Sequence, residues 1–356
     1  MKPRRLRIAA IASVATVTLA TAQPALAAGH PLVGPPHEGW LIPSQPEVSA
    51  KAWILWDAST GEEIASSEAD LQLPPASTTK MMTALLALEH GGLQEEFTVS
   101  RNATAARGFK IGLSAGETLT LGQLLNAMIV RSANDAAVAV AEAVAGSVPA
   151  FVDLMNEKAA SLGLDHTHFA NPNGLDQDGH LSSARDLLDL ALAAYAQPGF
   201  AELVDQKEVV LPTSGTEPRR FDTTNRFLVR YRGANGVKTG STPNADLVLV
   251  ASAVRGGEHL FAVVAGSTGT DGHFVDAADL LDYGFRMARV SGQLGSAEEN
   301  ASLAAEARVQ ALTHLSSVRP PDDVAPRTVV RTGSEDLPSL FDAFAWFAHL
   351  LSVDGG

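Results

Sequence analysis

The chain has 356 residues, of which 46% are hydrophobic and 19% are charged, and these proportions are typical of a folded protein with a substantial core. It contains no cysteine, which excludes disulfide bonds and thiolate chemistry. The net charge of −14 disfavours nucleic acids and anionic lipids as general partners, so an anionic substrate would need cations placed locally at its binding site.

The first residues have the features of an export signal. Residues 1–7 carry four basic side chains, an apolar run follows over residues 8–22, and Ala25-Leu26-Ala27 fits a cleavage site between small residues. An uncleaved membrane anchor is the alternative, but the run is short for a span, which needs about 20 residues. We therefore predict a signal peptide over residues 1–27 and export to the periplasm or extracytoplasmic cell envelope. Its removal would take away four positive charges and change the net charge from −14 to −18.

The following segments predict strands, then helices, then strands again. Residues 28–48 contain five prolines and are interpreted as a linker, and KAWILWDAST followed by GEEIASSE predicts a β-hairpin. Apolar residues then recur at helical spacing to about residue 195. Strand patterns follow in NGVKTGST, DLVLVASAV and HLFAVVAGS, and FVDAADLLDYGFRMA predicts a helix. Because consecutive short strands favour antiparallel pairing, we predict an α+β domain over residues 49–290, with an antiparallel sheet flanked by helices and a large helical insertion at about residues 84–205.

The C-terminal segments differ in composition from this domain. Residues 291–336 are polar and interrupted by prolines, and they are interpreted as a tail. Residues 337–356 carry Phe and Leu at helical spacing. Three interpretations stay open for that apolar helix: docking on the domain, peripheral membrane contact as an interfacial anchor, or a disordered end. Surface anchors usually carry Lys or Arg on their polar face, and this segment has neither.

Ser77 and Lys80 stand at the start of the first helical pattern. Free backbone N–H groups and the positive end of the helix dipole lie at a helix N-terminus, which suits a nucleophile whose attack creates an oxyanion. Lys80 lies three residues on, on the same face, at the mouth of an apolar helix. Burial would lower its pKa, and a neutral amine could take the proton of the serine. The alternative is an N-cap serine followed by a lysine that extends to solvent.

Ser132 and Asn134 fall on a short polar connection between two apolar helical patterns. Such a loop can place a hydroxyl and an amide in a cleft while the helices stay buried. Alternatively, Asn134 or Asp135 is simply the N-cap of the second helix. Capping by Asp135 is compatible with chemistry at the other two residues.

The predicted strand over residues 237–242 carries Lys238, Thr239, Gly240 and Ser241 in succession. The cation and the hydroxyl can bind a carboxylate, and the glycine lets a substrate backbone lie along the strand edge. An ordinary exposed start of a strand is the alternative.

Together the three clusters are more specific than any one of them. Ser-x-x-Lys, Ser-x-Asn and Lys-Thr-Gly occur in this order, within the longer segments LPPASTTKMMTALLALE, RSANDAAVAVAEAVAG and GVKTGST. In this the chain resembles the penicillin-recognising serine enzymes and, among them, the serine D-alanyl-D-alanine carboxypeptidases, the low-molecular-mass penicillin-binding proteins. The resemblance covers about residues 50–289 and implies a β-lactamase/transpeptidase-like fold.

The resemblance also implies a reaction and the residues that perform it. Ser77 would be the nucleophile, Lys80 its general base, and Ser132 the group that passes a proton to the leaving amine. The substrate would be a peptidoglycan stem peptide ending in D-Ala-D-Ala. Its last D-Ala would leave, and water would release the shortened peptide. β-Lactams such as penicillin would acylate the same serine as covalent inhibitors, and no metal or cofactor is implied.

The remaining residues would bind the substrate. Asn134 would hold its amide, and Lys238 and Thr239 would bind its terminal carboxylate. Gly240 would admit the substrate backbone, and the N–H of Ser241 would form the oxyanion hole with the N–H of the nucleophile.

Two departures from the family pattern affect these expectations. The family usually has an arginine shortly before the LLDYGF helix, where this chain has His273. If the histidine replaced the arginine as a cation, activity would fall as pH rises through about 6.5. The usual C-terminal β-domain is also not evident in the sequence.

Three rival functions remain at this point. A class A β-lactamase would typically have Ser-Asp-Asn in the second cluster and a glutamate for deacylation, whereas this chain has Ser-Ala-Asn and no matching glutamate motif. A metal peptidase could use the side chains of His166, His168, Asp176, Asp178 and His180, but their spacing fits no standard zinc or calcium site. The third is a catalytically inactive peptidoglycan-binding module, although all the catalytic side chains are present.

Overall fold

The structure is a computed structural model, and it describes residues 43–212 and 217–294. The predicted signal peptide, most of the predicted linker, nearly all of the predicted polar tail and the apolar C-terminal segment lie outside those ranges and stay predictions. Among the described helices, none is by itself both long and apolar enough to cross a membrane. Asn134–Ala145 and Val148–Ser161 meet the length and composition requirement only as a pair, across a bend of 82°.

The strands fall into one large sheet and two small hairpins. In chain order they are β1 (Ala52–Asp57), β2 (Glu62–Ser67), β3 (Glu96–Thr98), β4 (Thr118–Thr120), β5 (Glu208–Leu211), β6 (Arg219–Asp222), β7 (Ala234–Thr242), β8 (Asp246–Arg255) and β9 (Glu258–Ser267). The large sheet is antiparallel with the order β2-β1-β9-β8-β7. In this arrangement Trp53 lies between Ser67 and Val264, so the first strand of the domain pairs with its last strand.

Most of the helices lie between β2 and β7. In chain order the described helices are α1 (Lys80–His90), α2 (Arg101–Thr104), α3 (Leu121–Val130), α4 (Asn134–Ala145), α5 (Val148–Ser161), α6 (Ala184–Tyr195), α7 (Phe200–Asp205), α8 (Phe227–Arg230) and, after β9, α9 (Gly272–Leu294). A short 3-10 turn, Ala76–Thr79, leads directly into α1. This arrangement confirms the predicted fold class, an antiparallel sheet flanked by helices with a large helical insertion.

The sheet separates two hydrophobic cores. Successive side chains of a strand point to opposite faces, so Ile54 packs into the core under the inserted helices and Leu55 into the core under α9. On the α9 side, Leu280 and Leu281 are fully buried against the sheet. Both faces are therefore covered, which explains why β8 and β9 read as continuous apolar runs.

Helix α1 runs through the middle of the inserted helices. It packs against α3, α4, α5 and α6, and Met81, Met82 and Leu85 are almost completely buried. A helix that is apolar on nearly all sides has to be buried, and here the neighbouring helices cover it. The first residue of α1 is Lys80, so this position removes an ammonium group from water.

The structure corrects three element predictions. The region predicted as helical, at about residues 84–205, also contains the β3–β4 pair, and the β5–β6 hairpin follows it. Their strands of three and four residues are too short for periodicity to reveal. Strand β7 begins at Ala234, three residues before the predicted start, because its first residues already pair with Ala253 of β8. Helix α9 extends to Leu294, four residues into the predicted tail.

Candidate active site

Ser77 lies in the 3-10 turn that precedes α1. Lys80 Nζ lies 2.9 Å from its Oγ, so the serine and the lysine face each other as the sequence predicts. The residue before the serine, Ala76, has φ +50°, a left-handed conformation that is uncommon for a residue with a Cβ. Strained backbone of this kind is held by its surroundings and often occurs where a reactive side chain must be presented.

Lys80 is completely buried, and its ammonium group has three acceptors. Besides Ser77 Oγ, Nζ donates to Asn134 Oδ1 at 2.8 Å and to the backbone carbonyl of Asn173. Burial lowers the pKa of Lys80 well below its usual value, and the nearby cation of Lys238 lowers it further. This direction of shift is the one expected from the sequence, and it favours the neutral amine, which could accept a hydrogen bond from the serine hydroxyl.

Ser132 is presented by the connection between α3 and α4. The start of α3 is fixed by a capping box, in which Thr120 and Gln123 bond to each other's backbone N–H groups. After α3 ends at Val130, Ser132 adopts φ +60° and is 5% exposed. The second serine of the site is thus itself in a left-handed conformation, whereas at Ser77 it is the preceding residue that adopts one.

Asp135 does not cap α4, which corrects one of the alternatives considered from the sequence. The N-cap position is Ala133, which makes no side-chain cap bond. The buried carboxylate of Asp135 instead accepts the N–H groups of Ile111, Gly112 and Leu113 at 3.0–3.2 Å. It therefore ties the segment before β4 to the start of α4.

Asn134 is held at both ends of its side chain. Its Nδ2 donates to the carbonyl of Arg107 at 2.6 Å, while its Oδ1 accepts from Lys80. Its backbone N–H donates to the carbonyl of Phe109 at 2.7 Å. Between them, Gly108 has φ +77°, and a Cβ there would lie 2.8 Å from Asn134 Nδ2. Sequence analysis did not identify the segment of residues 107–109, because its contribution is made by backbone carbonyls.

Lys238 approaches the same site from β7. Its Nζ donates to Ser132 Oγ at 3.0 Å and to the carbonyl of Thr239 at 2.9 Å. The side chain is 1% exposed, and burial lowers the pKa of Lys238 to about 7. Thr239 is half-buried and Ser241 is exposed, so the strand that carries the lysine also presents groups to solvent.

Gly240 allows β7 to lie against the turn that contains Ser77. A Cβ at Gly240 would lie 2.9 Å from Ala76 Cβ and 3.0 Å from Ser77 N, closer than side chains normally pack. β7 is also the last strand of the sheet order, so one edge of its backbone is not paired with another strand. Glycine at this position thus brings an open strand edge beside the backbone N–H of the serine.

A loop over residues 171–176 closes the site from a side that sequence analysis did not foresee. The carbonyl of Asn173 accepts from Lys80, and Gly174, at φ +85°, packs directly against the backbone of Ala76. Asp176 accepts the hydroxyl of Thr242 at 2.5 Å, which joins this loop to the end of β7. No side-chain pattern in the sequence could indicate the use of a carbonyl.

The side chains considered as metal ligands make other contacts. Nδ1 of His180 accepts the N–H of Ala170 at 2.8 Å, so Nε2 carries the proton and donates to Thr79 Oγ1 at 2.8 Å. Burial lowers the pKa of His180 to about 4, which keeps this arrangement neutral. Within the described ranges, no group of three or more His, Asp or Glu residues is placed to hold a metal ion.

His273 does not supply the cation that the sequence analysis considered. The side chain is 7% exposed and packs against the ring of Phe274, with the two ring centroids 3.9 Å apart. Burial lowers the pKa of His273 to about 4, so the imidazole is neutral near pH 7. A loss of positive charge at about pH 6.5 therefore has no support at this residue.

Comparison with known proteins agrees with this fold. A profile of the family described as D-alanyl-D-alanine carboxypeptidase, peptidase family S11, matches residues 41–269. The chain belongs to this D-alanyl-D-alanine carboxypeptidase family.

Individual relatives agree with the family match. D-alanyl-D-alanine carboxypeptidase DacF of Bacillus subtilis is 35% identical over 241 residues, which are 66% of this chain but only 62% of DacF, less than two thirds of its length. DacB2 of Mycobacterium tuberculosis is 35% identical over 247 residues, covering 68% of this chain and 84% of the relative. The crystal structure of the Streptomyces K15 DD-transpeptidase covers 68% of this chain and 99% of that chain, with 30% identity and a TM-score of 0.64.

Proposed function

We propose that the protein is a serine D-Ala-D-Ala carboxypeptidase that removes the terminal D-Ala from peptidoglycan stem peptides. The observation that carries this proposal is the completely buried amine of Lys80, 2.9 Å from the hydroxyl of Ser77. Family membership supports the substrate class. The protein would be exported to the periplasm or cell envelope, where peptidoglycan is found, and β-lactams would acylate it.

Acylation begins when the hydroxyl of Ser77 gives its proton to the neutral amine of Lys80. Oγ then forms a bond to the carbonyl carbon of the penultimate D-Ala. The charge that develops on the carbonyl oxygen is stabilised by the N–H groups of Ser77 and Ser241, since β7 lies against the turn at Gly240.

Collapse of this intermediate breaks the peptide C–N bond. Ser132 passes to the departing nitrogen the proton that Lys80 took from Ser77, so the last D-Ala leaves as a free amino acid. Water then attacks the acyl carbon and gives one proton to Lys80. The bond between carbon and Oγ breaks, Ser77 recovers its proton, and the shortened peptide leaves with a new carboxylate.

The sheet side of the cleft binds the end of the peptide. The ammonium group of Lys238 and the hydroxyl of Thr239 bind the terminal carboxylate, and Asn134 binds the amide on the acyl side. Lys238 provides a local cation in a protein whose net charge is −14, so the acidic surface does not prevent binding of an anionic substrate. This placement sets the scissile bond beside Ser77.

The direct test is labelling by fluorescent penicillin together with release of D-Ala from a synthetic peptide ending in D-Ala-D-Ala. We expect both activities in the wild-type protein and neither in Ser77→Ala. The matched control is Ser67→Ala, an exposed serine on β2, which should retain both.

Other results would assign the chain to one of the rivals. Rapid turnover of nitrocefin would indicate a β-lactamase, and loss of D-Ala release in EDTA would indicate a metal peptidase. A wild-type protein that binds peptidoglycan but shows neither labelling nor release would be an inactive binding module.

A further inference from the structure

One side of the proposed active site carries an exposed aromatic ring with cations around it. Phe109 is 62% exposed, and the guanidinium carbon of Arg131 lies 5.9 Å from the centroid of its ring. Arg107 is exposed two residues before Phe109. We call Arg107, Phe109 and Arg131 the acyl-side lip.

The lip is joined directly to the proposed substrate-binding residues. The carbonyls of Arg107 and Phe109 accept hydrogen bonds from Nδ2 and from the backbone N–H of Asn134, at 2.6 and 2.7 Å. Arg131 immediately precedes Ser132 in the chain. The lip therefore borders the part of the cleft in which Asn134 would hold the amide on the acyl side of the scissile bond.

The arginines of the lip have no carboxylate partner among the described residues, whereas half of the other described arginines do. Five others form ion pairs at or below 2.9 Å: Arg185, Arg219, Arg220, Arg230 and Arg255. Among the described residues, no carboxylate lies within ion-pair distance of Arg107 or Arg131, and the buried Nε of Arg131 has no hydrogen-bond partner. In a chain with 40 acidic and 26 basic residues, two unpaired arginines beside an exposed ring are available for a ligand.

We propose that the acyl-side lip binds a carboxylate carried by the substrate upstream of the scissile bond. This inference rests on the proposed function, because it places the acyl part of the peptide beside Asn134. Phe109 would provide a flat apolar surface for the peptide, and the guanidinium of Arg131 would pair with the carboxylate. The α-carboxylate of the D-glutamyl residue in a stem peptide can form this ion pair with Arg131. The neutral carboxamide of an amidated D-glutamyl residue cannot. The lip thus makes the enzyme selective for the non-amidated stem peptide.

The test compares two peptides, L-Ala-γ-D-Glu-L-Lys-D-Ala-D-Ala and the same peptide with the D-glutamyl α-carboxylate converted to the carboxamide. We expect the wild-type protein to prefer the carboxylate peptide about three- to tenfold in kcat/KM for D-Ala release. The preference should shrink as salt is raised, because a partly exposed charge pair is screened. In Arg131→Gln the ratio of the two kcat/KM values should approach one, and Arg131→Lys should restore part of it.

Arg286→Gln is the matched control, since Arg286 is exposed on α9, on the opposite side of the sheet, and it should keep the wild-type ratio. An unchanged ratio in Arg131→Gln would overturn the proposal, as would a wild-type protein that hydrolyses both peptides equally. Labelling of Ser77 by fluorescent penicillin is measured in the same samples. If labelling and D-Ala release are both absent from the wild-type protein, the proposed function has failed. If both are present without a preference, only the acyl-side lip is wrong.

Discussion

The helical side and the sheet side of the site each place a buried lysine beside a serine, but the surroundings of the two lysines differ. At the start of α1, Lys80 lies 2.9 Å from Ser77 Oγ, and on β7, Lys238 lies 3.0 Å from Ser132 Oγ. Both lysines are buried, and burial lowers both pKa values. For Lys80, the positive charge of Lys238 adds to the effect of burial. Burial alone lowers the pKa of Lys238, to about 7.

This difference separates the two proposed roles. Two adjacent ammonium groups in a low-dielectric site disfavour each other's charge. In the proposed mechanism Lys80 would be the neutral base, and Lys238 would be the cation for a carboxylate. Because both residues are lysines, the difference between their proposed roles comes from their surroundings.

Replacing Lys80 should have the largest effect on activity. Lys80→Met keeps an apolar side chain of similar length but has no amine to take the serine proton. We expect the rate of labelling by fluorescent penicillin to fall about 10²–10⁴-fold. The control is Lys158→Met, a lysine of α5 that pairs with Glu89, which should label at nearly the wild-type rate. Labelling of Lys80→Met at the wild-type rate would exclude Lys80 as the base.

A larger side chain at Gly240, where β7 contacts the turn that contains Ser77, should have the next largest effect on the labelling rate. In Gly240→Ala the added methyl would lie 2.9 Å from Ala76 Cβ, so β7 must move away from the serine. We expect labelling to slow by about 10–10²-fold, because one oxyanion donor is displaced. Gly112→Ala is the comparison, since its Cβ meets nothing within 4 Å although φ is +73°. It should lower the thermal stability through backbone strain while the labelling rate is retained.

The pH dependence of kcat/KM should report the protonation of Lys238. The protonated form binds the carboxylate, and the pKa of Lys238 is about 7 in the free protein. The value of kcat/KM for D-Ala release should therefore fall as pH rises through about 7, by up to tenfold per pH unit. In Lys238→Arg this decrease should move to much higher pH, because a guanidinium stays charged. If the decrease stays at the same pH in that variant, Lys238 is not the group that titrates.

His273 should have the smallest effect. Its imidazole is already neutral near pH 7 because its pKa is about 4, so His273→Gln removes no charge there. We expect the pH profile of kcat/KM between about pH 5.5 and 8 to keep its wild-type shape. A change of shape near pH 6.5 in His273→Gln would restore the role that the sequence analysis considered for this residue.

The fold was largely predictable because its main elements have clear periodicity. The apolar pattern of α1 and the continuous apolar runs of β8 and β9 each indicate burial without knowledge of a partner. The small hairpins were missed because three or four residues show no period. The start of β7 was misplaced because glycines at 233 and 236 are typical of a turn, whereas pairing with β8 continues through them.

The predicted site residues are brought together around one cleft, but the groups that hold them are not visible in the sequence. Asn173 and Phe109 act through backbone carbonyls, which every residue possesses. Asp135 was considered as a helix cap, but three of its partners lie more than 20 residues earlier in the chain. Sequence patterns reveal side-chain chemistry, and long-range backbone contacts require the fold.

The double attachment of Asn134 has a consequence for the direction in which a peptide can enter. Its amide is prevented from flipping, because one end accepts from Lys80 and the other donates to Arg107. One N–H and one lone pair remain, and their positions are set in advance. Under the proposed function, an incoming amide would have to present its carbonyl and its N–H in one order, so the asparagine would distinguish a forward peptide from a reversed one.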